Sequence, residues 1–244
     1  MSLSPKEIKY IRSLKEKKFR DLEGVFAVEG EKMVSEALES AFEVVRVYRR
    51  EEIGEETMSR ISSLSSPSPA LAVVRKPQVL EDSAALPSCG LFFALDGIRD
   101  PGNMGTILRI ADWFGLDGVF ASQDSVDVFN PKVVQSTMGA IFRVPFRYCG
   151  LPSLCRRAAA AGGSVWGTFL HGEDIYRTAL DGGRTAPSII VIGNESSGIS
   201  SAVAEEVTGR LFIPPFPEEG SGSESLNAAV AAAITAAEFR RRDR

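Results

Sequence analysis

The chain has 244 residues, of which 44% are hydrophobic and 25% are charged, and its formal net charge is −4. This is the composition of an ordinary globular protein with room for one large domain or two small ones, and no apolar run reaches the ~18 residues of a transmembrane helix. Three cysteines without a C-x-x-C pair predict a reduced, cytoplasmic protein, and the single histidine, His171, argues against a metal site and against His-based catalysis.

Basic residues concentrate at the two ends of the chain. The first twenty residues hold Lys6, Lys9, Arg12, Lys15, Lys17, Lys18 and Arg20 against only Glu7 and Glu16, and the tail adds Arg240, Arg241, Arg242 and Arg244. Acidic residues concentrate in 29–56 and at 218–219. Local potential, rather than net charge, governs contact with a phosphate backbone. Two interpretations stay open: a surface for nucleic acid, or helix faces that are simply solvated.

The first 75 residues predict a small α/β unit. Ser4 as N-cap, Pro5 in the first turn and Glu7 as the acid of a capping box predict a helix start. Strands are predicted over 26–28, 43–48 and 71–74, with a helix over 31–41 and a Ser/Pro loop over 62–69. The segment 76–90, rich in Pro, Ser and Asp, predicts a linker between this domain (1–75) and a second domain (91–244).

The second domain alternates strands and helices. Strands are predicted over 91–95, 118–121, 164–170, 189–192 and 210–213, and helices over 104–114, 131–138, 152–161, 200–207 and 226–241. This alternation predicts an α/β domain with a mostly parallel sheet. Such sheets bind ligands at the carboxyl ends of their strands.

Three polar, glycine-bearing loops follow three of these strands, over 96–109, 193–198 and 213–227. The second has the outline of a triphosphate-binding loop, but Glu195 lies in its middle and Ile199 takes the place of the lysine. These residues argue against a nucleotide-triphosphate hydrolase, and no G-x-G-x-x-G fingerprint supports a dinucleotide oxidoreductase. The three loops can converge on one pocket.

Several side chains in these loops have two interpretations each. Asn103 can cap a helix, and Ser225 can cap the last helix. Arg109 lies in an apolar stretch, where an unpaired buried charge is costly. It therefore needs either a structural ion pair, for example with Glu195, or an anionic ligand such as a ribose phosphate. We interpret Trp113 as core or dimer packing rather than a base-stacking residue.

Together the three segments resemble the SpoU/TrmH family of the SPOUT superclass, which are S-adenosylmethionine-dependent RNA ribose 2′-O-methyltransferases. The family motif N-x-G-x-x-x-R is met by Asn103, Gly105 and Arg109. The motif G-N-E-x-x-G is met by Gly193, Asn194, Glu195 and Gly198. The motif I-P…S-L-N is met by Ile213, Pro214, Ser225, Leu226 and Asn227. The N-terminal unit is similar to the ribosomal-protein-like substrate domain of rRNA-directed members.

The resemblance implies a C-terminal α/β domain with a deep trefoil knot, a homodimer with active sites near its interface, and no metal. It implies that S-adenosylmethionine is held by backbone groups and apolar contacts at Gly193, Asn194, Gly198, Ile213, Pro214 and Leu226. It also implies that Arg109 orients the ribose 2′-oxygen, with Asn103, Glu195, Asn227 and Ser225 around it. Because guanidinium stays protonated in proteins, another group must take the proton.

The predicted substrate is RNA, with large-subunit rRNA favoured over tRNA. Two alternatives are a tRNA 2′-O-methyltransferase and an RNA-binding homologue without catalysis. The second alternative stays open because the third loop departs from the family: Pro215 stands where Met is frequent, and 218–223 is longer and acidic.

Overall fold

The computed structural model describes residues 3–77, 87–216 and 225–242. Most of the predicted linker, the acidic stretch 218–223 and Arg244 lie outside the described residues. The chain forms two compact units, one made of Met1–Val79 with Asp127–Arg143 and the other of Leu80–Val126 with Val144–Arg244. Within the described ranges, no helix is both long and apolar enough to cross a membrane.

The elements of the N-terminal stretch are α1 (Pro5–Ser13), α2 (Lys17–Glu23), β1 (Val25–Glu29), α3 (Glu31–Glu39), β2 (Val44–Arg49), α4 (Arg50–Ile53), α5 (Glu55–Ile61) and β3 (Ala70–Arg75). The three strands form an antiparallel sheet in the order β1-β3-β2. The predicted capping box is confirmed, because the Glu7 amide donates to Ser4 Oγ and the Ser4 amide donates to the Glu7 carboxylate. The helices α2, α4 and α5 were not predicted, since at 7, 4 and 7 residues they are too short to show a clear helical periodicity.

The elements that follow are β4 (Gly90–Asp96), α6 (Pro101–Trp113), β5 (Gly118–Ala121), α7 (Pro131–Thr137), a 3-10 turn (Ala140–Phe142), β6 (Phe146–Tyr148), α8 (Leu151–Ala160), β7 (Ser164–Asp174), β8 (Pro187–Gly193), α9 (Ser201–Ala204), β9 (Gly209–Phe212) and α10 (Ala228–Arg242). The six strands form one sheet in the order β6-β5-β4-β8-β7-β9, and every pair is parallel. The predicted mixed α/β fold with a parallel sheet is confirmed.

Two predicted elements differ from the structure most in length. The helix predicted over 200–207 is the four-residue α9, because the chain leaves it early and the Thr208 amide donates to the Val165 carbonyl oxygen at 2.8 Å. Strand β7 continues to Asp174, with a register irregularity against β9 after Thr168. The short edge strand β6 was not predicted.

Residues 127–143 complete the N-terminal unit. Helix α7 packs against β1, and the ring of Phe129 lies 4.8 Å from that of Phe26, centroid to centroid. Arg20, which is 1% exposed, donates to Asp127 Oδ2 and to the carbonyl oxygens of Leu14 and Lys15. Because the buried guanidinium has acceptors in both stretches of the chain, it anchors Asp127 to the rest of the N-terminal unit.

Candidate functional site

Strand register brings the three predicted loops to one edge of the large sheet. Asp96 at the end of β4 pairs with Gly193 at the end of β8. Strand β9 runs parallel to β7, which in turn runs parallel to β8, so Phe212 ends at the same edge. Ligands of parallel α/β sheets bind at this carboxyl edge. The loops after β4, β8 and β9 are therefore placed to build one site.

The first loop is fastened to the loop that follows β5. The Gly97 amide donates to Ser122 Oγ at 2.9 Å, and the Ile98 amide donates to Ser125 Oγ at 3.1 Å. Gly97 has a φ of 67°, a left-handed conformation that suits glycine. Ser122 also donates to Asp124, and this hydrogen bond is the largest cause of the lowered pKa of Asp124.

Helix α6 begins at this loop, and its cap is Asp100 rather than Asn103. Asp100 Oδ1 accepts from the Asn103 amide at 2.8 Å, and Pro101 occupies the first helical position. The helix therefore begins three residues earlier than predicted. Asn103 lies inside the first turn, which leaves its side-chain amide free to bond elsewhere.

A hydrogen-bonded chain of three side chains joins the three loops. Asn227 Nδ2 donates to Asn103 Oδ1 at 3.0 Å, and Asn103 Nδ2 donates to Glu195 Oε1. Each of the three belongs to a different predicted motif. A residue from the start of α6, one from the loop after β8 and one from the start of α10 therefore form a single polar cluster.

The loop after β8 is held in shape by Asn194. Asn194 Nδ2 donates to the Gly97 carbonyl oxygen at 2.7 Å, while its Oδ1 accepts from the amides of Ser196 and Ser197. The backbones of Asn194 and Gly198 also exchange two hydrogen bonds of 3.0 Å. A Cβ at Gly193 would collide with the backbone of Gly198, so the loop closes tightly on this glycine.

Arg109 is exposed on α6, and no residue in the described ranges forms a hydrogen bond or ion pair with it. The alternative of a structural ion pair with Glu195 is wrong for this chain, because Glu195 bonds Asn103 instead. Trp113, one helical turn later, is 84% exposed, so packing in the core is also wrong. The guanidinium is available to a ligand or a second chain.

The third segment contributes residues that follow β9 and residues that precede α10. Ile213 and Pro214 are half-buried after β9, while Ser225 and Leu226 are exposed before α10. The N-cap of α10 is Asn227 rather than Ser225, because Asn227 Oδ1 accepts from the amides of Ala229 and Val230 at 2.9 and 3.3 Å.

Two positioning residues were missed in the sequence analysis. Asp100 caps α6, and its signal was the D-P pair before the apolar helix. Asp96 is buried at the end of β4 and accepts from the Ser200 amide at 2.7 Å, which ties α9 to the first loop. No local pattern marks Asp96, since its partner lies 104 residues away. Across 3–77, 87–216 and 225–242, no group of three or more His, Cys, Asp and Glu side chains could hold a metal ion.

Comparison with models of known protein families shows which family this chain belongs to. The model of the SpoU rRNA Methylase family matches residues 90–237, and the model of the MRM3-like substrate binding domain matches residues 5–81. The first match covers more than half of the chain, so this chain belongs to the SpoU rRNA methylase family. The predicted family resemblance is confirmed.

Individual relatives agree with this assignment. The chain is 30% identical over 248 residues to the Bacillus subtilis 23S rRNA (guanosine(2553)-2′-O)-methyltransferase RlmP, covering 96% of this chain and 95% of that protein. A TrmH-family structure from Porphyromonas gingivalis is 39% identical, with a TM-score of 0.87 over 99% of this chain and 100% of the other. An AdoMet-bound rRNA methyltransferase structure from Sinorhizobium meliloti is 28% identical, with a TM-score of 0.87 over 99% and 97%.

Proposed function

We propose that this chain transfers the methyl group of S-adenosylmethionine to a ribose 2′-hydroxyl in large-subunit rRNA. The observation that carries the proposal is the hydrogen-bonded chain from Asn227 through Asn103 to Glu195, which gathers three family motifs at the ligand-binding edge of the sheet. The near-complete match to a relative named for 23S rRNA supports rRNA over tRNA.

The chemistry of the loops fits this methyl donor. Residues 193–200 offer backbone groups, hydroxyls and one carboxylate but no cation, which suits a ligand with a sulfonium and no phosphate. Both ends of the Asn194 amide are engaged within the protein, so Asn194 would hold the loop rather than the ligand. The positions that would surround the adenosyl group are Gly193, Gly198, Ile213, Pro214 and Leu226. When bound, the donor supplies an already activated methyl group.

Arg109 would act on the acceptor oxygen. Its guanidinium stays protonated, so it would orient the 2′-oxygen and stabilise the negative charge that develops there. Glu195, held by Asn103, would orient the ribose, and Asn227 would fix Asn103. Ser225 would add a hydrogen bond beside them. The hydroxyl proton would pass to water or to an RNA phosphate.

A homodimer is part of the same proposal. Trp113 is 84% exposed, and tryptophan is enriched at protein–protein interfaces. Arg109 lies one helical turn before it, so a second chain on this face of α6 would cover the tryptophan and approach the unpartnered arginine. We also propose that the protein acts in the cytoplasm, as its three cysteines without a C-x-x-C pair indicate.

The first test is calorimetric titration of S-adenosylmethionine and, separately, of ATP into the protein. We expect micromolar donor binding and no ATP binding. Transfer of labelled methyl from the donor to an unmodified 23S rRNA transcript, with a tRNA transcript as control, then tests the acceptor. Methylation of tRNA alone would contradict the rRNA assignment, and loss of donor binding with retained affinity for RNA would favour the inactive homologue.

A further inference from the structure

One face of α1 carries three cations without partners in the described part of the chain. Lys6, Lys9 and Arg12 are exposed, and none forms an ion pair or hydrogen bond there. Helical geometry spreads them over a sector of roughly 120°, away from the buried Ile8 and Ile11.

Glu7, the acidic residue of α1, does not pair with these three cations. Glu7 accepts from the Ser4 amide, and Arg46 donates to Glu7 from another element at 2.9 Å. The Ser4 hydrogen bonds are the largest cause of the lowered pKa of Glu7. The carboxylate is therefore committed to the helix cap and to Arg46, and the basic face of α1 keeps its charge.

Other basic residues predicted as candidates for nucleic acid contact are used within the protein. On α2, Lys17 pairs with Asp21 at 2.6 Å and Arg20 is buried. Near the C-terminus, Arg240 Nε donates to the Phe114 carbonyl oxygen at 2.9 Å, at the end of α6. Arg241 and Arg242 both pair with Glu238, at 2.8 and 2.7 Å. Among the described residues of the two basic clusters, the cations of α1 therefore remain as a row without partners.

We propose that the outer face of α1, formed by Lys6, Lys9 and Arg12, binds the phosphate backbone of the RNA substrate; this rests on the proposed function. Cations that need not give up an intramolecular partner bind phosphate with a net release of counterions. Contacts of this kind position the substrate and supply affinity, but they carry no choice of base. The face therefore serves substrate binding and leaves the methyl-transfer step unchanged.

The test compares two triple variants that lose the same charge. The first is Lys6→Gln, Lys9→Gln and Arg12→Gln. The control, Arg75→Gln, Arg156→Gln and Arg177→Gln, removes three exposed arginines that pair with Glu43, Glu206 and Asp174. Methylation kinetics and filter binding use unmodified 23S rRNA transcript at several salt concentrations. Circular dichroism and calorimetry with S-adenosylmethionine check the fold and the donor site.

For the α1 variant we expect a KM for RNA that is higher by about tenfold or more, an unchanged kcat, and a salt slope of log K shallower by about two to three. Donor affinity should stay the same, and the control should resemble the wild type. A wild-type KM and salt slope in the α1 variant, or an equal loss in the control, would overturn this inference without affecting the proposed function.

If the triple variant does not fold, the single variant Lys9→Gln replaces it. For this variant we expect a salt slope of log K that is shallower by about one. An unchanged slope in that variant also contradicts the inference. A wild-type protein that neither binds nor methylates 23S rRNA would instead refute the proposed function, and with it the RNA partner of α1.

Discussion

The amide oxygen and the amide nitrogen of Asn227 form different hydrogen bonds. Its Oδ1 caps α10, while its Nδ2 holds Asn103 across the site. The motif predicted that Asn227 belongs to the site, but the choice between Ser225 and Asn227 as cap could not be made, because both residue types cap helices well. The path of the chain before α10 decides it, and that path depends on tertiary packing.

Two substitutions should separate the tasks of Asn227. Asn227→Asp keeps a cap acceptor but loses the donor to Asn103, so we expect near-wild-type stability and impaired methylation. Asn227→Ala loses both, so the free energy of unfolding should also fall by about 1 kcal/mol. Denaturant unfolding and methylation assays on both variants check this. Full activity in Asn227→Asp would contradict a role for the hydrogen bond to Asn103.

Arg109 is the residue on which the proposed chemistry depends most. Arg109→Ala should lower methyl transfer by roughly 10²- to 10³-fold, the size expected when a group that stabilises developing charge is removed. S-adenosylmethionine binding, measured by calorimetry, should be unchanged. Wild-type turnover in this variant would mean that the mechanistic assignment is wrong. Arg157→Ala removes an exposed arginine of α8, outside the three loops, and is the matched control.

Helix α10 is anchored at its C-terminal end by Glu238. The side chain of Glu238 is 6% exposed and pairs with Arg241 and Arg242. Arg242 also donates to the carbonyl oxygens of Ile175 and Tyr176 at 3.2 and 2.7 Å. The hydrophobic pattern predicted the helix, whereas these long-range contacts leave no local signal in the sequence.

The stability supplied by Glu238 should depend on pH. Hydrogen bonds and charge from the two arginines lower the pKa of Glu238 to about 2. A carboxyl with a lowered folded-state pKa stabilises the fold above its unfolded pKa, and this stability is lost as the pH falls from about 4.5 towards 2. Glu238→Gln should cost about 1–2 kcal/mol at pH 7, allowing for solvent screening of exposed Arg241. Urea unfolding at pH 7 and pH 3 should show this difference shrinking in acid; a constant difference would contradict it.

The loop after β8 offers a test of donor binding at the level of one element. A Cβ at Gly193 would meet the backbone of Gly198, whereas a Cβ at Gly162, after α8, would meet open space. Gly193→Ala should therefore open the loop and strongly weaken S-adenosylmethionine binding. Gly162→Ala, at a left-handed glycine outside the three loops with a φ of 77°, should cost only about 1 kcal/mol of backbone strain and leave donor binding unchanged. Calorimetry that finds the same donor affinity in both variants would contradict this view of the loop.

For the whole molecule, the sequence predicted the fold class, the order of most elements and the convergence of three loops, because hydrophobic periodicity and motif spacing are local signals. The membership of 127–143 in the N-terminal unit left no such signal. It depends on the partners of Arg20 and on the packing of Phe129 against Phe26, which join residues about a hundred positions apart. The threading of the chain that the family resemblance implies is likewise invisible to periodicity.

The buried pair of Arg20 and Asp127 should be a main stabilising contact of the N-terminal unit. Arg20→Met leaves Asp127 with a buried charge and no cation, so we expect a loss of about 3–5 kcal/mol. Adding Asp127→Asn should recover part of the loss, since the uncompensated charge is then removed. Denaturant unfolding of the two variants gives both values. A double variant less stable than Arg20→Met would contradict this account of the pair.

The discontinuous N-terminal unit limits how this protein could be rebuilt from parts. A chimera that exchanged everything before residue 90 for the equivalent part of a relative would keep the original 127–143, with its Asp127 and Phe129 fitted to the lost Arg20 and Phe26. During synthesis, too, Arg20 and Phe26 cannot meet Asp127 and Phe129 until residue 129 has emerged from the ribosome. An exchange at one boundary should therefore succeed only when the distant segment is exchanged with it.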